Sequence, residues 1–322
     1  MKLNNKGYAI TIIVFGMLVV FIIILGSLLV TMNNSIKLND YVKEDVIEEI
    51  ENKTTCSRTT NLVCKRATTL HTEECTQTSA EYFCSAGGYT ASGSKGTTTI
   101  TYGNLGVRGT LTSGDAFNCD VNCDGVYDEV TERFYYVSNM ENNIAALIYY
   151  NNVSDGLPDN SKSYTYYSAA EENWHGPVDA IKQLPTNAQW NGVSLSNQKR
   201  AIITETGTSS TAGGQLPTNF SYSGYSSRLL TVQEVNNACN ITIGSFINGE
   251  LDNCNYLLEN TKYSNEAIGI HGYWLETSKS KATAAAWKIY GNKRYANDIF
   301  VNLSTTAGVR PVIEVPIANI EY

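Results

Sequence analysis

Between Tyr8 and Met32 the chain runs YAITIIVFGMLVVFIIILGSLLVTM without a charged residue. At about 1.5 Å rise per residue, such a stretch crosses a hydrocarbon core of roughly 30 Å as one helix. Lys2 and Lys6 precede it. Asp40, Glu44, Asp45, Glu48, Glu49 and Glu51 dominate the segment on its C-terminal side, interrupted by Lys37 and Lys43. The lysine bias predicts a cytoplasmic leader at 1–7, a single-pass transmembrane helix at 8–32 and an extracellular remainder. The expected location is therefore the cell membrane, with the membrane itself as first partner. Residues 33–53 place Ile36, Tyr41 or Val42, Val46, Ile47 and Ile50 at helical spacing among acidic residues, which predicts a helical stalk.

A cleaved secretory signal is the competing reading of the apolar stretch. Its apolar region is shorter, about 7–15 residues ending in small side chains, whereas this one runs into Val30-Thr31-Met32-Asn33. A third reading starts from Asn4-Asn5-Lys6-Gly7-Tyr8, a short basic leader ending in glycine before an aromatic residue and an uninterrupted apolar run. It resembles the prepilin class of signal, in which a membrane peptidase cuts after the glycine and the helix packs into a filament core. The resemblance implies a pilin-like subunit and a homo-oligomer formed through the N-terminal helix. It departs from type IV pilins at Ile12, where they usually carry glutamate.

The net charge of −8 and the lack of any Lys/Arg cluster exclude nucleic acid as a partner, because phosphate binding draws on a basic surface. Thr, Ser, Asn, Gly and Tyr dominate beyond the membrane segment, a balance suited to β surfaces. All eight cysteines lie there, and an even number in an extracellular setting reads as disulfides. Zinc needs paired C-x2-C ligands or matching histidines, and His71, His175 and His271 are scattered. Cys239 and Cys254 would close a loop of about 15 residues, worth roughly 3 kcal/mol in the chain-entropy model. Cys119 and Cys123 would close a turn. Cys56, Cys64, Cys75 and Cys84 allow three connectivities. They lie in a Cys/Thr/Gly-rich module or linker at 54–115, where only Thr97 to Tyr102 alternates as a strand.

The segment DVNCDGVYDEVTE places Asp120, Asn122 and Asp124 at positions one, three and five of an EF-hand-like loop. Gly125 supplies the turn at six, Val126 a carbonyl at seven and Asp128 a side chain at nine. Position twelve, normally a bidentate acid, is Thr131, and Glu129 and Glu132 are out of register. Oxygen ligands favour calcium, so calcium is the one cofactor expected; an Asx-rich turn without metal is the other reading.

RFYYVS and AALIYYNN, separated by Asn139 to Asn143, predict a hairpin whose paired tyrosines serve either sheet packing or sugar stacking. Pro177 opens a short helix that Pro185 ends, and Thr231 with Glu234 forms a capping box for a second helix reaching Cys239. The remainder reads as strand, loop, strand, loop, strand, anchored by Trp274 and Trp287.

RLLTVQEV, GYWLETS, AAAWKIYGNKR and the closing GVRPVIEVP together resemble bacterial surface and phage-associated domains of the C-type-lectin-like fold, related to the formylglycine-generating enzyme and to variable receptor proteins. The resemblance covers residues 116–322 and implies an α+β class, two helices packed on a twisted sheet, with loops carrying ligand contacts. The reactive cysteine pair of the enzyme and the sugar-binding triplets of the calcium-dependent lectins have no counterpart. Arg310, flanked by Val309 and Val312, is expected to seek a buried carboxylate or several carbonyls and to lock the terminal strand.

The composite expectation is a membrane-anchored extracellular binding or adhesion protein, not an enzyme, that contacts an extracellular protein or glycan. Its expected contact surface is Lys279, Lys281, Trp287, Tyr290, Asn292, Lys293, Arg294, Tyr295 and Asn297, which mix aromatic and hydrogen-bonding groups. The alternative is a hydrolase of cell-wall polymers, against which no Ser-His-Asp, Cys-His or paired-carboxylate spacing is found.

Overall fold

The computed structural model describes residues 56–77, 81–84, 89–91, 97–169, 172–207, 219–241, 252–261, 272–280, 282, 284–290, 295–300 and 307–322. The leader, the segment 8–32 and the stalk lie outside these residues. Among those described, no helix is long and apolar enough to cross a membrane.

The first strands are β1 (Cys64–Arg66), β2 (Thr72–Gln77), β3 (Glu81–Cys84), β4 (Tyr89–Ala91), β5 (Thr97–Thr101) and β6 (Ala116–Cys119). A long hairpin comes next, β7 (Arg133–Met140) and β8 (Ile144–Tyr149), then the short β9 (Val153–Ser154) and β10 (Leu157–Pro158). Helix α1 (Val178–Ile181), β11 (Lys199–Ala201), β12 (Asn219–Ser221) and helix α2 (Val232–Cys239) lead to β13 (Tyr273–Ser278), β14 (Ala285–Tyr290) and β15 (Tyr295–Phe300). The chain closes with β16 (Val312–Pro316) and β17 (Ile320–Glu321).

The expected α+β class is corrected by these elements: the protein is mostly β. The two α-helices among the described residues have four and eight residues, too short to form a helical layer over a sheet. Helix α1 is bracketed by Pro177 and Pro185, and α2 stops at Asn240, which takes the left-handed conformation (φ 51°).

A six-stranded sheet in the order β16-β8-β7-β6-β1-β17 forms the centre, antiparallel except for the β1–β17 pair. Its side chains alternate between two buried faces. Phe134, Tyr136, Leu147, Tyr149, Ile313 and Val315 pack into one cluster, whereas Tyr135, Val137, Ala146, Ile148 and Val312 pack into the other. This period of two sets Tyr135, Tyr136 and Tyr149 into the core, not onto a stacking surface.

Strand β1 lies inside this sheet, so no unit boundary falls at residue 115, and 54–322 form one compact unit. The rest of the Cys/Thr/Gly-rich segment forms a four-stranded sheet, β4-β3-β2-β5, in which Cys75 lies directly opposite Cys84 in register. A third sheet, β13-β14-β15, is separate, and Tyr273 of β13 forms an isolated parallel bridge with Gly308 ahead of β16.

Helix α2 begins with the complete capping box: the Thr231 hydroxyl accepts from the Glu234 N–H and the Glu234 carboxylate accepts from the Thr231 N–H. It buries Val232, Val235 and Cys239 in the second cluster, and the Cys239–Cys254 bridge ties its end to residues 252–258.

Candidate functional site

Among the described residues, several buried charges belong to closed joints. Arg228, 1% exposed, donates through Nε to Glu314 Oε1 at 2.7 Å and through both terminal nitrogens to Glu234, at 2.9 and 2.5 Å. Arg200 Nη2 reaches the same Glu314 Oε1 at 2.6 Å, and the Ser196 N–H and hydroxyl take Oε2 at 2.8 and 2.5 Å. Burial pushes the Glu314 carboxyl up, but Arg228, Ser196 and Arg200 outweigh it and hold the group at about 2. Each carboxylate oxygen faces a donor, so the joint fastens α2 and β11 to β16. The sequence signal that this partner existed was a single acid inside the apolar run Val312-Ile313-Glu314-Val315.

Arg310 is fully buried and spends its donors on carbonyls. It bonds Tyr149 O, then Leu257 O at 2.9 Å, Tyr256 O at 2.9 Å and Glu259 O at 3.2 Å, while lying 5.2 Å from the Tyr273 ring. It thereby fastens the 256–259 turn to β8. Trp274, also buried, donates to Tyr164 O at 2.7 Å.

His71 Nδ1 lies 2.7 Å from Glu259 Oε1, and Nε2 lies 2.9 Å from Glu129 O. The Tyr135 hydroxyl donates to the other Glu259 oxygen at 2.6 Å. Both ring nitrogens are taken, one by Glu259 and the other by the Glu129 carbonyl, so this acid–histidine pair joins elements. His175 stacks on Tyr167 at 4.5 Å and contacts Glu172 at 3.1 Å.

Two of the expected contact residues are interior. Lys279 and Trp287 are 7% and 6% exposed and lie 5.2 Å apart as a cation–ring pair. Glu205 holds this corner, accepting from Trp287 Nε1 at 3.2 Å and from the Ser280 N–H and hydroxyl at 2.9 and 2.5 Å. Asn173 Nδ2 draws the carbonyls of Lys279, Ala282 and Ala285 to within 2.7–2.9 Å. Lys281, Asn292, Lys293 and Arg294 lie outside the described residues. For Tyr290, Tyr295 and Asn297 the backbone shows that Tyr290 pairs with Tyr295, and Lys288 with Asn297, across β14 and β15.

The remaining feature is the acidic loop between β6 and β7. Asp120, 0% exposed, accepts from Arg58 Nε at 2.7 Å, the Asp124 N–H at 3.0 Å and the Gly125 N–H at 3.2 Å. Gly125 turns the chain at φ +85°, a conformation costly for any residue with a Cβ. Cys119 and Cys123 do not close this turn on each other. Cys119 bridges back to Cys64 and Cys123 to Cys56, because the 56–64 segment runs alongside the loop. Arg58 of that segment also reaches Asp120 O at 2.7 Å and Gly192 O at 3.0 Å. A Cβ on Gly192 would meet Arg58 Nη2 at 2.0 Å, which explains the glycine there.

Further along the loop, Asn122 Oδ1 accepts from the Asp124 N–H at 3.0 Å and Asp124 Oδ1 from the Val126 N–H at 2.8 Å. Asp128 Oδ1 accepts from the N–H groups of Thr131 and Val130, at 2.6 and 2.8 Å, which lower its carboxyl below the usual range. Glu132 closes the series. It is 6% exposed; one oxygen accepts from the Asp128 N–H at 3.1 Å, and Oε1 is buried with no hydrogen-bond partner. Burial raises its carboxyl to about 7; the Asp128 N–H opposes the shift and the charges of Asp120, Asp124 and Asp128 add to it.

Among the described residues no three acid, histidine or cysteine side chains stand together as a ready-made metal cluster. Asp120, Asn122, Asp124 and Asp128 share one loop, each turned onto N–H groups. Glu132, out of register in the sequence, feels the charges of Asp120, Asp124 and Asp128. Comparison of the chain with family models, with curated proteins and with solved structures returned no match.

Proposed function

We propose that the chain is an extracellular binding or adhesion protein, held at the membrane through its charge-free segment Tyr8–Met32. The observation that carries this reading is the disulfide set. No described cysteine is free, and Cys56–Cys123, Cys64–Cys119 and Cys239–Cys254 cross-link the domain. Such bridges persist in oxidising compartments and are rare in the cytosol. Closing loops of 67 and 55 residues is worth about 4 kcal/mol each in the chain-entropy model, taken singly.

Contact is assigned to the connection between β14 and β15. The register pairs Tyr290 with Tyr295, so two tyrosines flank Gly291-Asn292-Lys293-Arg294, a basic sequence in an acidic chain. Lys279 and Trp287 drop out of the contact set because they are interior. The partner class is an extracellular protein or glycan that offers acceptors to Lys293, Arg294 and Asn292.

The test is adhesion of cells displaying the full chain to panels of immobilised glycans and matrix proteins. Asn292→Ser, Lys293→Ser and Arg294→Ser combined should abolish attachment while shifting stability by no more than about 0.5 kcal/mol. Unchanged attachment by the triple variant would remove the assignment. Release of soluble fragments from wall polymers by the wild type would replace it with the hydrolase.

A further inference from the structure

We propose that the loop Asp120–Glu132 binds one calcium ion, and that Glu132 supplies the side-chain oxygen missing where Thr131 stands in the loop register. The two observations are independent. The first is the order of oxygen donors, Asp120, Asn122, Asp124, the Val126 carbonyl and Asp128, around a glycine turn. The second is the Glu132 side chain, more than nine-tenths buried, with Oε1 facing no donor. A buried carboxylate oxygen is normally satisfied by a donor or a cation, and none of the loop's N–H groups reaches this one.

Charge balance points the same way. The loop carries five carboxylates, of which Glu129 is turned away onto Thr68 and Thr69, and among the described residues the one direct guanidinium set against the other four is Arg58. A divalent cation relieves that excess where a single further side chain cannot. The donor set contains only oxygen, of mixed carboxylate, amide and carbonyl type, which suits the irregular shell of six to eight ligands of calcium and not the nitrogen or sulfur preference of zinc.

The loop is also pre-organised. Its N-terminal third is cross-linked to the 56–64 segment through Cys119 and Cys123. Binding then requires the exposed Asp124 and the half-buried Asp128 to rotate off Val126, Val130 and Thr131 towards the ion, while Asp120 and Glu132 stay in place.

The full chain in detergent, stripped with chelator, is titrated with calcium chloride in a calorimeter. One ion per chain should bind with a dissociation constant on the order of 10⁻⁴–10⁻³ M, and the melting temperature should rise with added calcium. Loss of even an outer-sphere partner weakens metal sites roughly 10–100-fold, so Glu132→Gln should weaken binding at least about tenfold. Asp124→Asn, an exposed change that leaves the fold intact, should weaken it as well. Absence of both heat and thermal shift at about ten times the weaker expected constant would overturn the site. So would Glu132→Gln binding as the wild type does. If that variant fails to fold, undiminished affinity in Asp124→Asn overturns it instead.

Discussion

The joint around Arg228 and the loop around Glu132 both bury carboxylates, and they balance them differently. At the joint, two guanidiniums face Glu314 and Glu234, Ser196 fills the remaining lone pairs, and the Glu314 carboxyl is held at about 2. At the loop, Arg58 pairs with Asp120 alone, one Glu132 carboxylate oxygen has no donor, and the Glu132 carboxyl rises to about 7. Both carboxylates are buried, and their shifts run in opposite directions as their partner sets do, filled at Glu314 and unfilled at Glu132. A complete set makes a structural lock; the incomplete one is the ground for the calcium proposed above.

The comparison breaks most visibly at Arg228. Arg228→Ala leaves Glu314 and Glu234 buried with their main partner gone, and removing one member of a buried pair costs about 3–5 kcal/mol. Denaturant unfolding of the full chain should read that loss; a loss under about 1 kcal/mol would mean that water reaches the joint.

Acid should act on the same joint next. The folded Glu314 carboxyl lies at about 2 against an ordinary 4.5, so its contribution is present above about pH 4.5 and lost as pH falls towards 2. That difference corresponds to about 3 kcal/mol. Unfolding free energy measured from pH 5 to 2 should fall over this window, and Glu314→Gln should flatten the slope; an equally steep slope in the variant would assign the effect to other acids.

The smallest effect belongs to the loop. Without calcium, Asp124→Asn should change stability by no more than about 0.5 kcal/mol, because Asp124 is exposed and an asparagine oxygen accepts the Val126 N–H equally well. A cost comparable to that of Arg228→Ala would make the loop a lock like the joint.

Local features were legible in the sequence. The Thr231–Glu234 capping box, the α2 stop near Cys239 and the β7–β8 hairpin depend on residues a few positions apart, and their geometry comes from backbone hydrogen bonds and period-two alternation. The Asp120–Asp128 loop was legible for the same reason. The fold class was not: the helices at 178–181 and 232–239 were found in the right places, but the sheets that outnumber them are built by strands such as β1 and β17, of three and two residues, too short to show a pattern.

Taken alone, the sequence determined those local pieces, the acidic balance and the presence of a charge-free segment at 8–32, because each is a property of neighbours along the chain. Tertiary structure alone decided which cysteines pair, that Arg310 binds four carbonyls and Arg228 two carboxylates, that Lys279 and Trp287 are interior, and that Glu132 joins the acidic loop. These depend on partners 51 to 161 residues away for Arg310 and 86 for the Arg228–Glu314 bond, and on desolvation, which exists only once the sheets have closed.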